Sequence, residues 1–550
     1  MSTTPSDPPA PNHPEDSGCS PTLDPQTLDQ TQECVAGEPH GPDQMPARRD
    51  QSRITPDGRL RTGRLAGLSM NKAIFVLAWP ILIESYLNSM VGLTDTTLAS
   101  QMSEAATDAI GVASYFAWFI SLIAMALATG ATALVSRSVG KGRLGVANAA
   151  VGQTIVLASI SGIVVGVLLG VFAPNIARLV NLGEGDATEA FVGYMRVIAF
   201  SVPLSSVLFA GIACLRGAGD SIRPLWAMVA ANVVNMIVSF TAAGVDLSRS
   251  RLVDGELVTT TLLRAPLETG LGITGIAIGT VAAHTVGAAI IIALLIGGKG
   301  GVRLKRLWMG PHPITMIRLA RLGMPNFFES LGLWVGNFVV VMIVGWLALS
   351  SNGGSGEGYF GAHIWAIRIE AFSFLPGFAM GMAAATLAGQ YLGAGSPGLA
   401  RAAILRCTLV GASVMACMGA AFILVPEAII GTFTAQASHL GLVPPLLVIC
   451  GWVQIPFGVA LVVRSALRGA GDVNVVLWLT WTTTYAVRIP LAWLFSGVDV
   501  PLPGGGVFEH PFIDEPSLSG LWLGLCIELA IRGCFFGARF LQGGWVNAKV

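Results

Sequence analysis

Twelve stretches of this 550-residue chain are apolar over about 20 residues or more, enough to cross a hydrocarbon core of about 30 Å. They lie at 73–101, 109–137, 150–180, 188–214, 224–244 and 271–297, then at 314–349, 360–391, 400–430, 438–465, 473–497 and 518–541. Inside lipid every backbone N–H and C=O must bond within the protein, so such stretches form helices or a closed barrel. The ten-residue segments of alternating polarity that mark a barrel are absent. The sequence therefore predicts an all-α polytopic membrane protein. A hydrophobic content of 53% and a charged content of 12%, with a mean hydropathy of +0.67, lie outside the soluble range.

The twelve stretches divide into two sets. LRGAGD occurs at Leu215–Asp220 and again at Leu467–Asp472, an offset of 252 residues. Gly140 and Gly142 in GATALVSRSVGKGR match Gly393 and Gly395 in AAATLAGQYLGAGS at an offset of 253. Near the start of each set stands L-x-x-P-x-x-x-E-S, carrying Pro80 and Glu84 or Pro325 and Glu329, at an offset of 245. Three blocks in the same order describe a duplicated unit far longer than a solenoid repeat. Residues 69–310 and 311–550 are expected to form two pseudo-symmetric six-helix bundles.

Orientation follows from lysine and arginine in short loops, which stay cytoplasmic. Arg59, Arg61, Arg64 and Lys72 precede the first span, Arg137, Lys141 and Arg143 follow the second, and Lys299, Arg303, Lys305 and Arg306 join the halves. Both termini are thus expected on the cytoplasmic side of a plasma membrane, which in a Gram-negative bacterium is the inner membrane. Residues 1–68, rich in Pro, Ser, Thr, Asp and Gln, read as a disordered cytoplasmic tail without a cleaved signal peptide. Cys19 and Cys34 sit in it, and none of the cysteines has metal-ligand or redox spacing.

Polar residues inside the spans carry the functional signal, since an ionisable group at a helix centre costs roughly 2.5–3.5 kcal/mol on insertion scales. On the first span Glu84, Asn88 and Asp95 fall on one helical face. Glu84 has a repeat counterpart in Glu329, so helix-helix bonding and function both account for it. Asp95 does not: its repeat position holds Val340, so the fold does not require an acid there. On the fifth span Asn232, Asn235 and Ser239 share a face, and Thr280 on the sixth is placed to join them. Carboxylate, carbonyl and hydroxyl oxygens suit sodium, and a carboxylate alone suits a proton. Asn337 on the seventh span is a further candidate for a polar cavity wall. Glu528 and Arg532, at i and i+4, can neutralise each other, while His284 and His363 read as hydrogen-bonded helix residues.

No Walker A sequence and no cytosolic nucleotide domain is present, so any pumping must draw on an ion gradient; sodium is the one ion besides the proton the polar residues suit, and no other cofactor is expected. LRGAGD itself reads as a helix-turn signature: Gly for chain reversal, Arg for headgroups and terminal carbonyls, Asp to cap the next helix.

Taken together, the proline-led first span ending in LTDTTLAS, ATALVSRSVGKGR, LRGAGD after Pro203 and Pro456, NVVN in the fifth span and ATLAGQYLGAG in the eighth resemble the multidrug and toxic compound extrusion (MATE) transporters over nearly all of 70–541. The resemblance implies two lobes of six helices, a central cavity between them, and alternating access driven by sodium or proton entry. It puts the family's first-helix acid on Asp95 and its amino-lobe polar cluster on Asn235 and Thr280. Ser239 stands where some members carry a second acid, which leaves one formal negative charge and favours a proton. The seventh-helix glutamate of one branch lies deeper than Glu329, and its role is not carried over. The expectation is therefore a monomeric antiporter of lipophilic, cationic small molecules, in contact with membrane lipids and with no nucleic-acid partner. The alternative is a lipid or polysaccharide flippase of the same superfamily, which should line its cavity with basic residues; the amino-lobe candidates are acidic or neutral. An intramembrane enzyme would need a nucleophile and base, and no such set is present.

Overall fold

The computed structural model describes residues 53–548 apart from 101, 103, 180–185, 254–255, 268, 351–357, 434–436, 502–505 and 514. The first six spans are α1 (Met70–Ser100), α2 (Glu104–Gly140), α3 (Leu144–Leu179), α4 (Asp186–Gly217), α5 (Ile222–Ala243) and α6 (Gly272–Gly297). The second set begins with α7 (Pro313–Ser350), α8 (Tyr359–Gly393) and α9 (Pro397–Leu424), followed by the short α10 (Pro426–Gly431). The tenth span is two helices, α11 (Ala437–Trp452) and α12 (Gln454–Ala470), bent by 60°. Pro456 lies just beyond the bend and has no N–H to return to the Trp452 carbonyl, which is a sufficient cause. The eleventh runs from α13 (Val473–Trp481) through a π turn at Thr482–Arg488 into α14 (Ile489–Ser496), and α15 (Leu518–Gln542) is the last.

The main packing partnerships of the first lobe recur in the second. α4 packs on α2, α3 and α6, as α12 packs on α8, α9 and α15. The contact of α1 with α5 is matched by that of α7 with α13 and the π turn. Between lobes, α2 touches α7 while α8 touches α1. Contacts that exchange in this way describe two bundles related by a pseudo-two-fold rotation.

The lobes meet at the end of the bundle that carries the basic loops. There Leu65 and Leu77 share a core with Leu387, Leu467 and Trp545, and Leu134 and Leu215 share one with Leu319 and Val473. At the other end the described residues form separate cores, Leu98, Phe191 and Ile276 in one lobe and Val344, Leu447 and Trp522 in the other. The cleft between the lobes therefore opens away from the basic end.

Closure rests on a contact made twice. Arg137 on α2 donates to the Ala470 carbonyl at 3.1 Å, and its repeat-mate Gln390 on α8 donates to the Gly217 carbonyl at 3.0 Å. Each side chain thereby satisfies a carbonyl in the last turn of the opposite lobe's LRGAGD helix, where helices leave acceptors unpaired. A Cβ on Gly140 would collide with the Gln390 backbone, and one on Gly393 with the Arg137 backbone. Glycine is needed for this approach.

LRGAGD turns the chain as expected, with Gly219 at φ 93° and Gly471 at φ 95°. Asp220 accepts from the Arg223 N–H at 3.3 Å and so caps α5, but Asp472 is bonded to Arg539 at 2.9 Å instead. The expectation that the motif's arginines face headgroups is corrected: Arg216 and Arg468 turn inward to carboxylates of their own lobes. A second correction concerns the tail. Residues 1–52 lie outside the described residues, but in the following segment Ile54 bridges Leu60, and Leu60 and Leu65 are buried against the second lobe's helices. An antiparallel hairpin between α5 and α6, Leu247–Val253 with Glu256–Leu263, is also new.

Gly393→Leu should force the two backbones apart and lower stability by about 1–3 kcal/mol, the usual cost of overpacking. Gly345→Leu, with open space at its Cβ position, is the control. Thermal unfolding of both purified variants checks this; equal melting temperatures would remove the close approach as a stabilising contact.

Candidate functional site

Between the lobes lies a cavity of about 330 Å³. α1 contributes Glu84 and Asn88, α2 contributes Met125, Thr129 and Thr132, and α4 contributes Phe209, Ile212 and Arg216. The opposite wall is Phe378 and Met382 on α8 with Arg464 and Arg468 on α12. Apolar surface with a few convergent polar groups is the usual make-up of a small-molecule site.

The polar groups follow the repeat. Glu84 forms a salt bridge with Arg216. Its repeat-mate Glu329, fully buried behind the cavity wall, takes two bonds from Arg468, Nε to Oε2 at 3.0 Å and Nη2 to Oε1 at 2.6 Å. Thr480 donates a further bond to Oε1 at 2.9 Å. Both glutamates are thus held by the arginine of their own lobe's LRGAGD. Arg464, one helical turn before Arg468, reaches only to 3.7 Å from Glu329. The motif alone pointed Arg216 and Arg468 to headgroups and terminal carbonyls and gave Arg464 no role, although VVRSALRGAGD places Arg464 and Arg468 at i and i+4 on one face.

Asn337 does not line this cavity; it accepts a bond from Arg488 at 2.7 Å. Arg488 and Arg532 share Glu528, at 3.0 and 2.6 Å, and Arg532 also donates to Thr483 and Thr484 in the π turn. The pairing of Glu528 with Arg532 read from sequence is present, with Arg488 as an added partner. His363 accepts from the Trp522 indole at 3.1 Å, an ordinary buried hydrogen bond.

A second polar site lies within the first lobe, where α1 packs on α5 and α5 on α6. Asn235 donates to Thr280 at 3.4 Å, and Ser239 donates to the Ile276 carbonyl at 3.3 Å. Asn235 Oδ1, Asn232 Nδ2 and Asp95 Oδ1 are buried without a hydrogen-bond partner. The buried Tyr194 hydroxyl, unmarked by any sequence pattern, lies within range of the Asp95 charge. Unsatisfied buried acceptors are rare and need an explanation. A carboxylate oxygen and an amide oxygen with free lone pairs fit a proton or a sodium ion. Among the described residues no group of three or more His, Cys, Asp or Glu is arranged to hold a metal.

A family model named MatE matches residues 80–241 and 325–494, one segment in each lobe. The chain belongs to the MatE family. A probable multidrug resistance protein NorM of Thermotoga maritima is 23% identical over 481 residues, covering 88% of this chain and 94% of the relative. The multidrug resistance protein NorM of Vibrio cholerae is 24% identical over 471 residues, covering 84% and 93%. A solved single-residue variant of the Vibrio cholerae MATE transporter VcmN matches with a TM-score of 0.73 at 18% identity, over 86% of this chain and 96% of that one. The MatE matches begin at Pro80 and Pro325, the repeat-mates that start the duplicated unit. This is a multi-pass membrane protein of a transporter family, with the two-lobe, twelve-helix MATE fold. The cluster of Asn235, Thr280 and Ser239 is assembled, with Asn232 one turn away. The argument that separated a flippase by its basic lining is overturned for the central cavity, which carries three arginines.

Glu329→Gln would leave Arg468 without its anion, and breaking a buried pair in this way costs about 3–5 kcal/mol. Asp95→Asn removes a half-buried charge that has no ion-pair partner among the described residues, so it should leave the melting temperature unchanged or raised. Thermal unfolding in detergent checks both, and a large loss for Asp95→Asn would show that the acid is a structural member of its helix contacts.

Proposed function

We propose that this chain is a secondary active efflux transporter that exchanges a cation, a proton or a sodium ion, for lipophilic small molecules by alternating access. The observation that carries the reading is Asp95: a half-buried acid whose Oδ1 is buried and unpartnered, at a position where the repeat has Val340. An acid that neither lobe needs for folding has a role in something that only one lobe does.

The loops at the closed end supply the orientation. Burial first, and then the charges of Arg137, Arg143, Arg53 and Arg318, push Lys141 below the ordinary lysine value, so several cations gather at this end. Positive loops stay cytoplasmic. On that rule both termini are cytoplasmic and the cleft faces outward, and we place the chain in a plasma membrane. In this state an external cation has access to Asp95, with Asn235 and Thr280 as further oxygen donors. Neutralising Asp95 removes the attraction for a lipophilic cation in the first lobe, which leaves; return to the inward state releases the coupled ion. Ion and drug must therefore weaken each other's binding equally, because coupling is reciprocal. With Ser239 bonded to a backbone carbonyl, the cluster has one formal negative charge, which favours a single proton. One copy of the chain holds both the cavity and the acid, so the working unit is a monomer. The second reading, a flippase for anionic lipids or polysaccharide carriers, is favoured by the arginines of the central cavity alone.

Everted vesicles with proton and sodium gradients imposed separately test the reading. Asp95→Asn should insert normally and lose gradient-driven uptake of a fluorescent lipophilic cation by about tenfold or more, the scale set by losing about 1.4 kcal/mol of coupling. Wild-type uptake rates in that variant, or uptake indifferent to both gradients, would refute the exchange.

A further inference from the structure

The duplication supplies one glutamate and one arginine to each lobe at the cavity, and these partner each other. Arg464 is additional. Its repeat position, 252 residues earlier, is Ile212, and both residues line the cavity. The same wall position is thus closed by an isoleucine in one lobe and a guanidinium in the other, so packing does not call for the charge.

Glu329 does not satisfy it. Two bonds from Arg468 and one from Thr480 already occupy that carboxylate, and Arg464 stands 3.7 Å away, outside hydrogen-bond distance. Arg464 Nε is buried and has no partner. Behind it Arg488 and Arg532 share Glu528, with Glu370 near Arg488, so the deeper network lends no surplus anion. Around the cavity three arginines face two glutamates, a formal surplus of one positive charge. Beside it Phe209, Phe378, Met125 and Met382 provide apolar wall. A guanidinium presents paired donors in the plane that a carboxylate, sulfonate or phosphate oxygen pair matches.

We propose that the central cavity contains a subsite for a single anionic group on an apolar body, with Arg464 as its direct partner. This deepens the transport reading by assigning a substrate class to the central cavity, opposite in charge to the one that suits Asp95. It rests on that reading only for the route by which a bound compound leaves. The free amphiphile and the headgroup of an anionic lipid share this chemistry.

The test is equilibrium binding to the full chain in phosphatidylcholine nanodiscs. The probes are 11-(dansylamino)undecanoate and a dansyl-alkyl trimethylammonium of the same length. The carboxylate should bind the wild type about tenfold tighter or more, equivalent to about 1.4 kcal/mol. Arg464→Ile, the residue of the other lobe, should abolish the difference, and Arg464→Lys should keep most of it. Replacing part of the lipid by phosphatidylglycerol distinguishes the sources: displacement of the carboxylate that requires Arg464 assigns a lipid headgroup, and no displacement assigns the free amphiphile. Equal or reversed affinities in the wild type overturn the subsite even if Arg464→Ile does not fold. So does an unchanged preference in folded Arg464→Ile. No gradient is needed, so loss of the subsite with intact gradient-driven uptake leaves the transport reading standing, and failure of uptake leaves the binding result standing.

Discussion

In each lobe a glutamate in the middle of the first helix is bound by the arginine that ends the fourth spanning segment, Glu84 by Arg216 and Glu329 by Arg468. Much else depends on this pair. A carboxylate or a guanidinium alone at this depth is expensive, and pairing each with the other offsets much of that cost. The pair fixes where LRGAGD lies relative to the first helix of its bundle, and that position brings the motif's last-turn carbonyls to the other lobe. Arg137 and Gln390 then close the basic end on those carbonyls. The cavity floor, the seal below it and the lobe interface follow from one charged contact used twice.

Because the lobes are built alike, departures from likeness single out residues that packing does not explain. Asp95 opposite Val340 and Arg464 opposite Ile212 are two such departures, one acidic in the first lobe and one basic in the second. Neither makes a charged hydrogen bond among the described residues, whereas the repeat-matched charges are bonded to each other, Glu84 with Arg216 and Glu329 with Arg468. Satisfied charges hold the bundle together, and unsatisfied ones are available to a ligand.

The spanning helices were legible because a bilayer imposes a minimum length of apolar sequence, and the duplication was legible because LRGAGD changed in none of its six residues. The bend between Trp452 and Gln454 was not: Pro456 suggests it, but Pro203 lies inside an unbroken α4, so proline alone does not decide between a bend and a tolerated ring. The hairpin after α5 had a signal, Asp254-Gly255 between two strand-like runs, that the charge pattern of the loop obscured. At the site, Asn235 and Thr280 could be grouped because helical spacing places each on a predictable face. The inward turn of Arg216 and Arg468 could not, since an arginine at a helix end reaches headgroup, carbonyl or carboxylate equally well, and only the neighbouring helix decides.

The seal at the basic end consists of two equivalent half-contacts arranged about one pseudo-axis. A rotation of one rigid lobe about that axis region separates both halves together, because neither can stretch independently while Gly140 and Gly393 keep the backbones in touch. The two half-contacts therefore form one seal whose parts are held at a common separation, closing the basic end as a unit.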